Sequence, residues 1–199
     1  VDHKTSGKEY DLTKPTDFES LRKGTDMTYE GGTNVGIYYQ NGMQNNLKDA
    51  EAGAKMISDL TGQPVGIIHN ETHGLFDIKF GDRKHGDVPE YVPSGYTDKD
   101  VLNAKIYEDI SKNGDKTNTV LMFSAGNEDG FKAMGVLALE NRSLNNNVEF
   151  ISIASPRSLS DLTARANKVG ATISGQYNNL WDPVTHPKTW IAGTLGLAT

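Results

Sequence analysis

The chain has no cysteine, no excess of basic residues and no long apolar run. The absence of cysteine excludes disulfides, thiolate metal sites and a cysteine nucleophile, and it suits either the cytosol or an exported bacterial protein. With 26 acidic and 20 basic side chains, the formal net charge of -6 provides no basic stripe for phosphate contacts. Nucleic acid is therefore not an expected partner.

Membrane insertion is not expected either. No run approaches the roughly 18 consecutive apolar residues that cross a bilayer. The polar start Val1-Asp2-His3-Lys4 is not typical of a signal peptide. We therefore expect a soluble chain without a transmembrane segment.

Length and composition predict a single domain. A chain of 199 residues with 36% hydrophobic content can bury one sizeable core, whereas two domains would each be small. Residues 1–33 are polar and show little apolar periodicity. We interpret them as a lead-in segment with at most a short helix near residues 18–21. The domain would then span residues 34–199.

Strands and helices alternate along residues 34–199. Apolar, β-rich runs typical of strands buried on both faces occur at residues 35–39, 64–68, 119–123, 148–153 and 171–174. Apolar residues spaced by three or four predict helices through residues 47–60, 101–110, 131–139 and 159–167. Asn45 or Asn46 is predicted to cap the first helix and Gly62 to end it, and Thr97 or Asp98 is predicted to cap the second, which ends at residues 113–114. This alternation requires crossover connections. The sequence therefore predicts a three-layer α/β fold, in which a mostly parallel sheet has helices on both faces.

One long segment has apolar residues spaced neither as in a helix nor as in a strand. Residues 70–97 contain scattered glycine, proline, aspartate and lysine, and they follow a predicted strand. Loops of this length in a compact domain are often functional. We expect this segment to cross the edge of the sheet, where it is a candidate lid.

Ser124 stands where chemistry is expected in such a fold, because ligands bind beyond the carboxyl ends of parallel strands. It comes directly after a predicted strand and before a predicted helix, and the small Ala125 and Gly126 permit the sharp turn of a nucleophile elbow. The usual motif has glycine where this chain has Met122, so the match is Ser-x-Gly only. The alternative is a small-residue turn in which Ser124 merely caps the helix.

Acyl transfer also needs two hydrogen-bond donors for the oxyanion. In an elbow one donor is the N–H of the residue after the nucleophile, here Ala125, and the other comes from the loop after an earlier strand. Gly42 or Met43, directly after the strand at residues 35–39, is in the right place for the second donor. The alternative is that Asn41 and Gly42 form an ordinary turn, in which this dipeptide is common.

A serine nucleophile needs a base and a group that orients the base. Asp182 follows the last predicted strand, which favours it as the orienting acid, although an Asp-Pro pair also starts ordinary turns. His186 continues the order of nucleophile, acid and histidine, whereas His73 follows the second predicted strand. Both histidines stay candidates for the base, because hydrogen-bond reach decides between them.

Four motifs occur in an order that resembles bacterial lipase-like α/β-hydrolase domains. The resemblance covers about residues 34–184. Its motifs are Tyr39-Gln40-Asn41-Gly42-Met43, Asn70-Glu71-Thr72-His73-Gly74, Phe123-Ser124-Ala125-Gly126-Asn127 and Asn179-Leu180-Trp181-Asp182-Pro183-Val184. The resemblance implies a serine esterase or lipase without a metal or other cofactor, acting on a lipid or other acyl ester. It also implies a nucleophilic serine at Ser124, an oxyanion hole at Gly42 or Met43 with Ala125, and a triad acid at Asp182.

Similar modules occur at the C-terminal ends of filamentous-haemagglutinin-type exoproteins and contact-dependent growth-inhibition toxins. This resemblance implies a toxin domain that is secreted or delivered from a bacterial cell surface, with an immunity protein as a partner; a cytoplasmic location is the alternative. Two positions depart from the family pattern. Phe123 replaces the usual histidine before the serine, and no histidine follows His186. Either the base has moved, or the activity is reduced or lost.

Three other functions compete with a serine hydrolase. The first is a non-catalytic α/β toxin or interaction domain that binds a protein partner. The second is a metal-dependent hydrolase, since His69 and His73 are four residues apart with Glu71 between them, although that spacing needs a helix to place both rings on one face. The third is a phosphate-binding nest at residues 124–127, which lacks the lysine of a P-loop.

Overall fold

The computed structural model describes residues 2–5, 8–11, 14–23, 27–42, 46–70, 96–114 and 116–177. The strands in these ranges are β1 (Asp2–Thr5), β2 (Lys8–Asp11), β3 (Met27–Glu30), β4 (Ile37–Gln40), β5 (Val65–Asn70), β6 (Asn118–Phe123), β7 (Val148–Ile153) and β8 (Thr172–Tyr177). The helices are α1 (Pro15–Lys23), α2 (Leu47–Thr61), α3 (Asp98–Ser111), α4 (Gly126–Leu139) and α5 (Leu159–Lys168).

The central sheet has six strands in the order β3-β5-β4-β6-β7-β8. The strands from β4 to β8 are mutually parallel, and β3 pairs antiparallel with β5 at one edge. β1 and β2 form a separate antiparallel pair. The predicted mostly parallel α/β sheet is thus confirmed, and the carboxyl ends of β4, β5 and β6 lie side by side.

Helices cover both faces of the sheet, which makes three layers. On one face α3, α4 and α5 pack on alternate strand residues, including Tyr38, Val120 and Phe150. On the other face α2 packs on the residues between them, including Tyr39 and Leu121. This two-sided burial is the reason that the central strands β4, β5 and β6 are mostly apolar along their length rather than alternating.

Local capping determines where α2 and α3 begin. Asn46 accepts a bond from the Asp49 amide and receives the reciprocal bond from the Asp49 side chain, which forms a capping box. Thr97 and Asp100 form the same arrangement at the start of α3. Gly62, at φ 68°, ends α2 in the left-handed conformation that glycine tolerates best. These ends agree with those predicted from the sequence.

The N-terminal region differs from the expected lead-in segment. β3 lies within residues 1–33 and joins the sheet, and Phe18 and Met27 are buried in the main core. Four residues are too short to show a period, which is why the sequence pattern missed this strand.

Among the helices in the described ranges, none combines the length and the apolar character needed to cross a bilayer.

Candidate functional site

Ser124 occupies a strained turn between β6 and α4. Its φ is 50°, in the left-handed region, which costs a residue with a Cβ atom about 1–2 kcal/mol. The side chain is partly exposed, and the backbone N–H donates to the carbonyl of Ile153 at 2.9 Å. A strained conformation of this kind persists only where the surrounding structure imposes it. The strand, the turn and the helix together have the geometry of a nucleophile elbow.

The capping alternative for Ser124 does not agree with the structure. The N-cap of α4 is Ala125, at φ -59° and ψ -26°, and no side chain caps the helix. A capping serine would hold extended backbone angles and accept a bond from an amide of the first turn. Ser124 does neither, so its conformation needs another explanation.

Gly42 lies directly against Ser124. A Cβ atom built on Gly42 would lie 3.0 Å from the Cβ of Ser124 and 3.2 Å from the carbonyl oxygen of Phe123. The two residues meet because β4 and β6 are adjacent parallel strands that end at the same edge of the sheet. The loop after β4 therefore lies next to the serine.

Gly42 and Ala125 each carry a backbone N–H close to this serine, Gly42 by packing against it and Ala125 as the next residue in the chain. Both residues are buried, and neither amide donates to an acceptor in the part of the chain that the structure describes. Buried N–H groups without an acceptor are rare in folded proteins. Two of them beside a partly exposed serine are what an oxyanion hole requires.

Asn41 determines the position of the loop that carries Gly42. Its side-chain amide donates to the carbonyls of Gly42 at 2.9 Å and Asn70 at 3.0 Å, and its Oδ1 accepts from the Asn70 amide at 2.8 Å. These bonds join the ends of β4 and β5. Asn41 thus bridges two strands, which the alternative of an ordinary turn at Asn41-Gly42 does not account for.

A buried chain of hydrogen bonds adjoins the site. The Tyr107 hydroxyl donates to Gln40, whose amide donates to Asn103 at 3.4 Å. The Asn103 amide donates to Asn70 at 3.3 Å, and the Asn70 amide donates to the Asp129 carboxylate at 3.1 Å. Each side chain donates to the next one in this order, so the network ends at the Asp129 carboxylate, which accepts the last bond. Sequence reasoning named Gln40 and Asn70 only as parts of motifs, and it missed the three helical members of the network, Asn103, Tyr107 and Asp129.

Burial raises the pKa of Asp129 from 3.8 to about 7. The nearby Asp100 carboxylate raises this pKa further, while Lys132 and Lys99 act in the opposite direction. A carboxyl group that titrates near neutral pH is typical of functional sites. Asp129 therefore changes its charge within the physiological range, one helical turn into α4.

Replacing Asp129 with asparagine should change the pH dependence of stability. The folded state keeps the Asp129 proton up to about pH 7, whereas the unfolded chain releases it near about pH 4. The folded state thus binds more protons across this window, and the stability of the wild type falls as pH rises through it. We expect Asp129→Asn to match the wild type below about pH 4 and to exceed it by about 1–3 kcal/mol at pH 8. Urea unfolding at both pH values measures the difference, and parallel stability profiles would contradict the raised pKa.

Four of the expected site residues lie outside the described residues: Met43, His73, Asp182 and His186. The same holds for residues 71–95, which make up most of the candidate lid. The structure therefore brings together Ser124, Ala125 and Gly42. His69 lies on β5, paired with Thr28, so it lacks the helical setting that a metal site with His73 requires.

Comparison of this chain with protein-family models, with curated proteins and with solved structures gave no match.

Proposed function

We propose that this chain is a serine hydrolase that acts on acyl esters. The observation that carries the proposal is the left-handed conformation of Ser124 directly beside Gly42, between buried amides without acceptors in the described ranges. Strain alone does not mark the site, because Ala154, just beyond β7, also has a positive φ, of 49°. Ser124 differs in the buried amides beside it, which have no acceptor in the described part of the chain. Together they make a nucleophile and an oxyanion hole.

The proposed reaction runs through an acyl-enzyme. The Ser124 hydroxyl attacks the ester carbonyl carbon and passes its proton to a histidine, His186 or His73, which Asp182 orients. The amides of Gly42 and Ala125 stabilise the negative oxygen of the tetrahedral intermediate. Collapse of this intermediate breaks the ester C–O bond, and the alcohol leaves with the proton from the histidine. Water then attacks the acyl-serine by the same steps and releases the carboxylic acid.

Labelling with a fluorophosphonate tests this proposal. The probe reacts with activated serines, so we expect a single label on the folded wild type, mapped by mass spectrometry to the peptide that contains Ser124. The label should be lost in Ser124→Ala. Ser155→Ala is the matched control, because Ser155 lies just beyond the end of the adjacent strand β7 and is also partly exposed. Absence of any label on folded wild type would contradict the proposal and favour a non-catalytic binding domain.

The same assay identifies the base. Loss of labelling in His186→Gln with retention in His73→Gln would assign the role to His186, and the reverse result would assign it to His73. An activated serine depends on such a base. Labelling that survives in both variants would show that neither histidine activates Ser124.

A further inference from the structure

The side chain of Asn127 joins three segments beneath the elbow. It is fully buried, and its Nδ2 donates to the carbonyls of Met122 at 3.0 Å, Ser124 at 3.1 Å and Ile153 at 2.9 Å. These carbonyls belong to the end of β6, to the elbow itself and to the end of β7. One side-chain amide therefore binds the strand before the serine, the serine and the neighbouring strand.

Backbone bonds connect Asn127 to the strained serine a second time. The Asn127 backbone N–H donates to the Ser124 carbonyl at 3.1 Å, while the Ser124 N–H donates to the Ile153 carbonyl at 2.9 Å. The Ile153 carbonyl thus accepts both from Ser124 and from the Asn127 side chain. The left-handed Ser124 is bonded on both sides to groups that Asn127 holds in place.

Within the described ranges, the other end of the Asn127 amide is left without a partner. Its Oδ1 is buried and accepts no hydrogen bond, which costs free energy. Rotating the amide by half a turn would place this oxygen against three carbonyl oxygens, so the observed orientation is the favourable one. Unsatisfied buried groups of this kind are unusual and call for a specific reason. The reason available here is the conformation of Ser124, which the opposite end of the amide holds.

We propose that Asn127 is a positioning residue that holds Ser124 in its left-handed conformation, and so keeps the serine hydroxyl beside the amides of Gly42 and Ala125. The inference rests on the proposed hydrolase function. Asn127 does not touch the substrate in this scheme. It acts through the turn, so its loss slows the chemistry of Ser124.

The test compares Asn127→Ala with Asn118→Ala. Asn118 is a close structural match, because its buried Nδ2 also donates to three backbone carbonyls, those of Ile110, Asn113 and Lys116. It lies at the opposite end of the same strand, β6, away from the elbow. Each variant removes a side-chain amide that donates to three backbone carbonyls, an arrangement that we call a clamp. Only the Asn127 clamp includes the carbonyl of Ser124.

We expect the rate of fluorophosphonate labelling to fall about 10- to 100-fold in Asn127→Ala, because small displacements of a reacting group are costly. The rate in Asn118→Ala should stay within about twofold of the wild type, because its clamp is remote from the reacting atoms. Near-UV circular dichroism at the assay temperature shows that each variant is folded. Asn127→Ser, which keeps one short donor, provides a milder change if the alanine variant does not fold. Labelling of both Asn127 variants at the wild-type rate would overturn the inference.

Amide hydrogen exchange provides a readout that does not depend on activity. Loss of the clamp should speed exchange at the Ser124 and Asn127 amides relative to the rest of β6 in Asn127→Ala, and not in Asn118→Ala. If the wild type is not labelled at all, the hydrolase proposal fails, and exchange still decides whether Asn127 holds the turn. Unchanged exchange at both amides would overturn the positioning role.

Discussion

Replacing Gly42 with valine should lower the rate of fluorophosphonate labelling about 100-fold or more, in line with the loss of an oxyanion donor elsewhere. The first added carbon would lie 3.0 Å from the Ser124 Cβ and 3.2 Å from the Phe123 carbonyl. The branched side chain would extend beyond this point, into the space beside the serine hydroxyl. The Gly42 amide would also move away, since the crowded loop must retreat from the elbow.

Gly36→Val is the matched control for this change. Gly36 directly precedes β4, at the opposite end of the strand from Gly42, and a Cβ atom there would meet nothing within 4 Å. We expect this control to label at nearly the wild-type rate. Equal labelling rates in the two variants would show that the space beside Ser124 is not used in the reaction.

Replacing Gly126 with alanine should destabilise the protein by about 1–3 kcal/mol, as is typical of overpacking in a protein interior. The new Cβ would lie 2.7 Å from the Asn41 carbonyl oxygen and 3.0 Å from the Gln40 carbonyl oxygen. These are backbone atoms of a strand end that the Asn41 and Asn70 bonds hold in place. The start of α4 must therefore move away from β4.

The sign of the change in unfolding free energy shows whether close packing or helix propensity dominates at Gly126. Alanine in place of glycine normally stabilises a helix by about 0.5–1 kcal/mol, so propensity alone predicts the opposite sign at Gly126. Urea unfolding measures the change, with Gly36→Ala as the control in open space. A stability equal to or above that of the wild type would show that α4 does not approach β4 this closely.

Local sequence patterns were sufficient for the fold class and for the order of strands and helices from β4 onwards. The buried strands read as apolar runs because helices cover both of their faces. Asn46 and Thr97 start their helices through capping boxes, which are bonds between residues three positions apart. Bonds between residues this close in the chain can be predicted from the sequence alone. By contrast, β3 was missed, because its four residues join the sheet through pairing with the distant β5.

The sequence by itself determined that Ser124 lies between a strand and a helix, with small residues after it, at the carboxyl edge of a mostly parallel sheet. Only the tertiary structure decided that Ser124 takes φ 50° and that Gly42 lies against it. It also decided that the Asn127 side chain bonds to the turn and that Gln40, Asn70 and Asp129 belong to one hydrogen-bonded network. The physical reason is that these features depend on which strands are neighbours in the sheet. Hydrogen bonds between residues far apart in the chain leave no local period to detect.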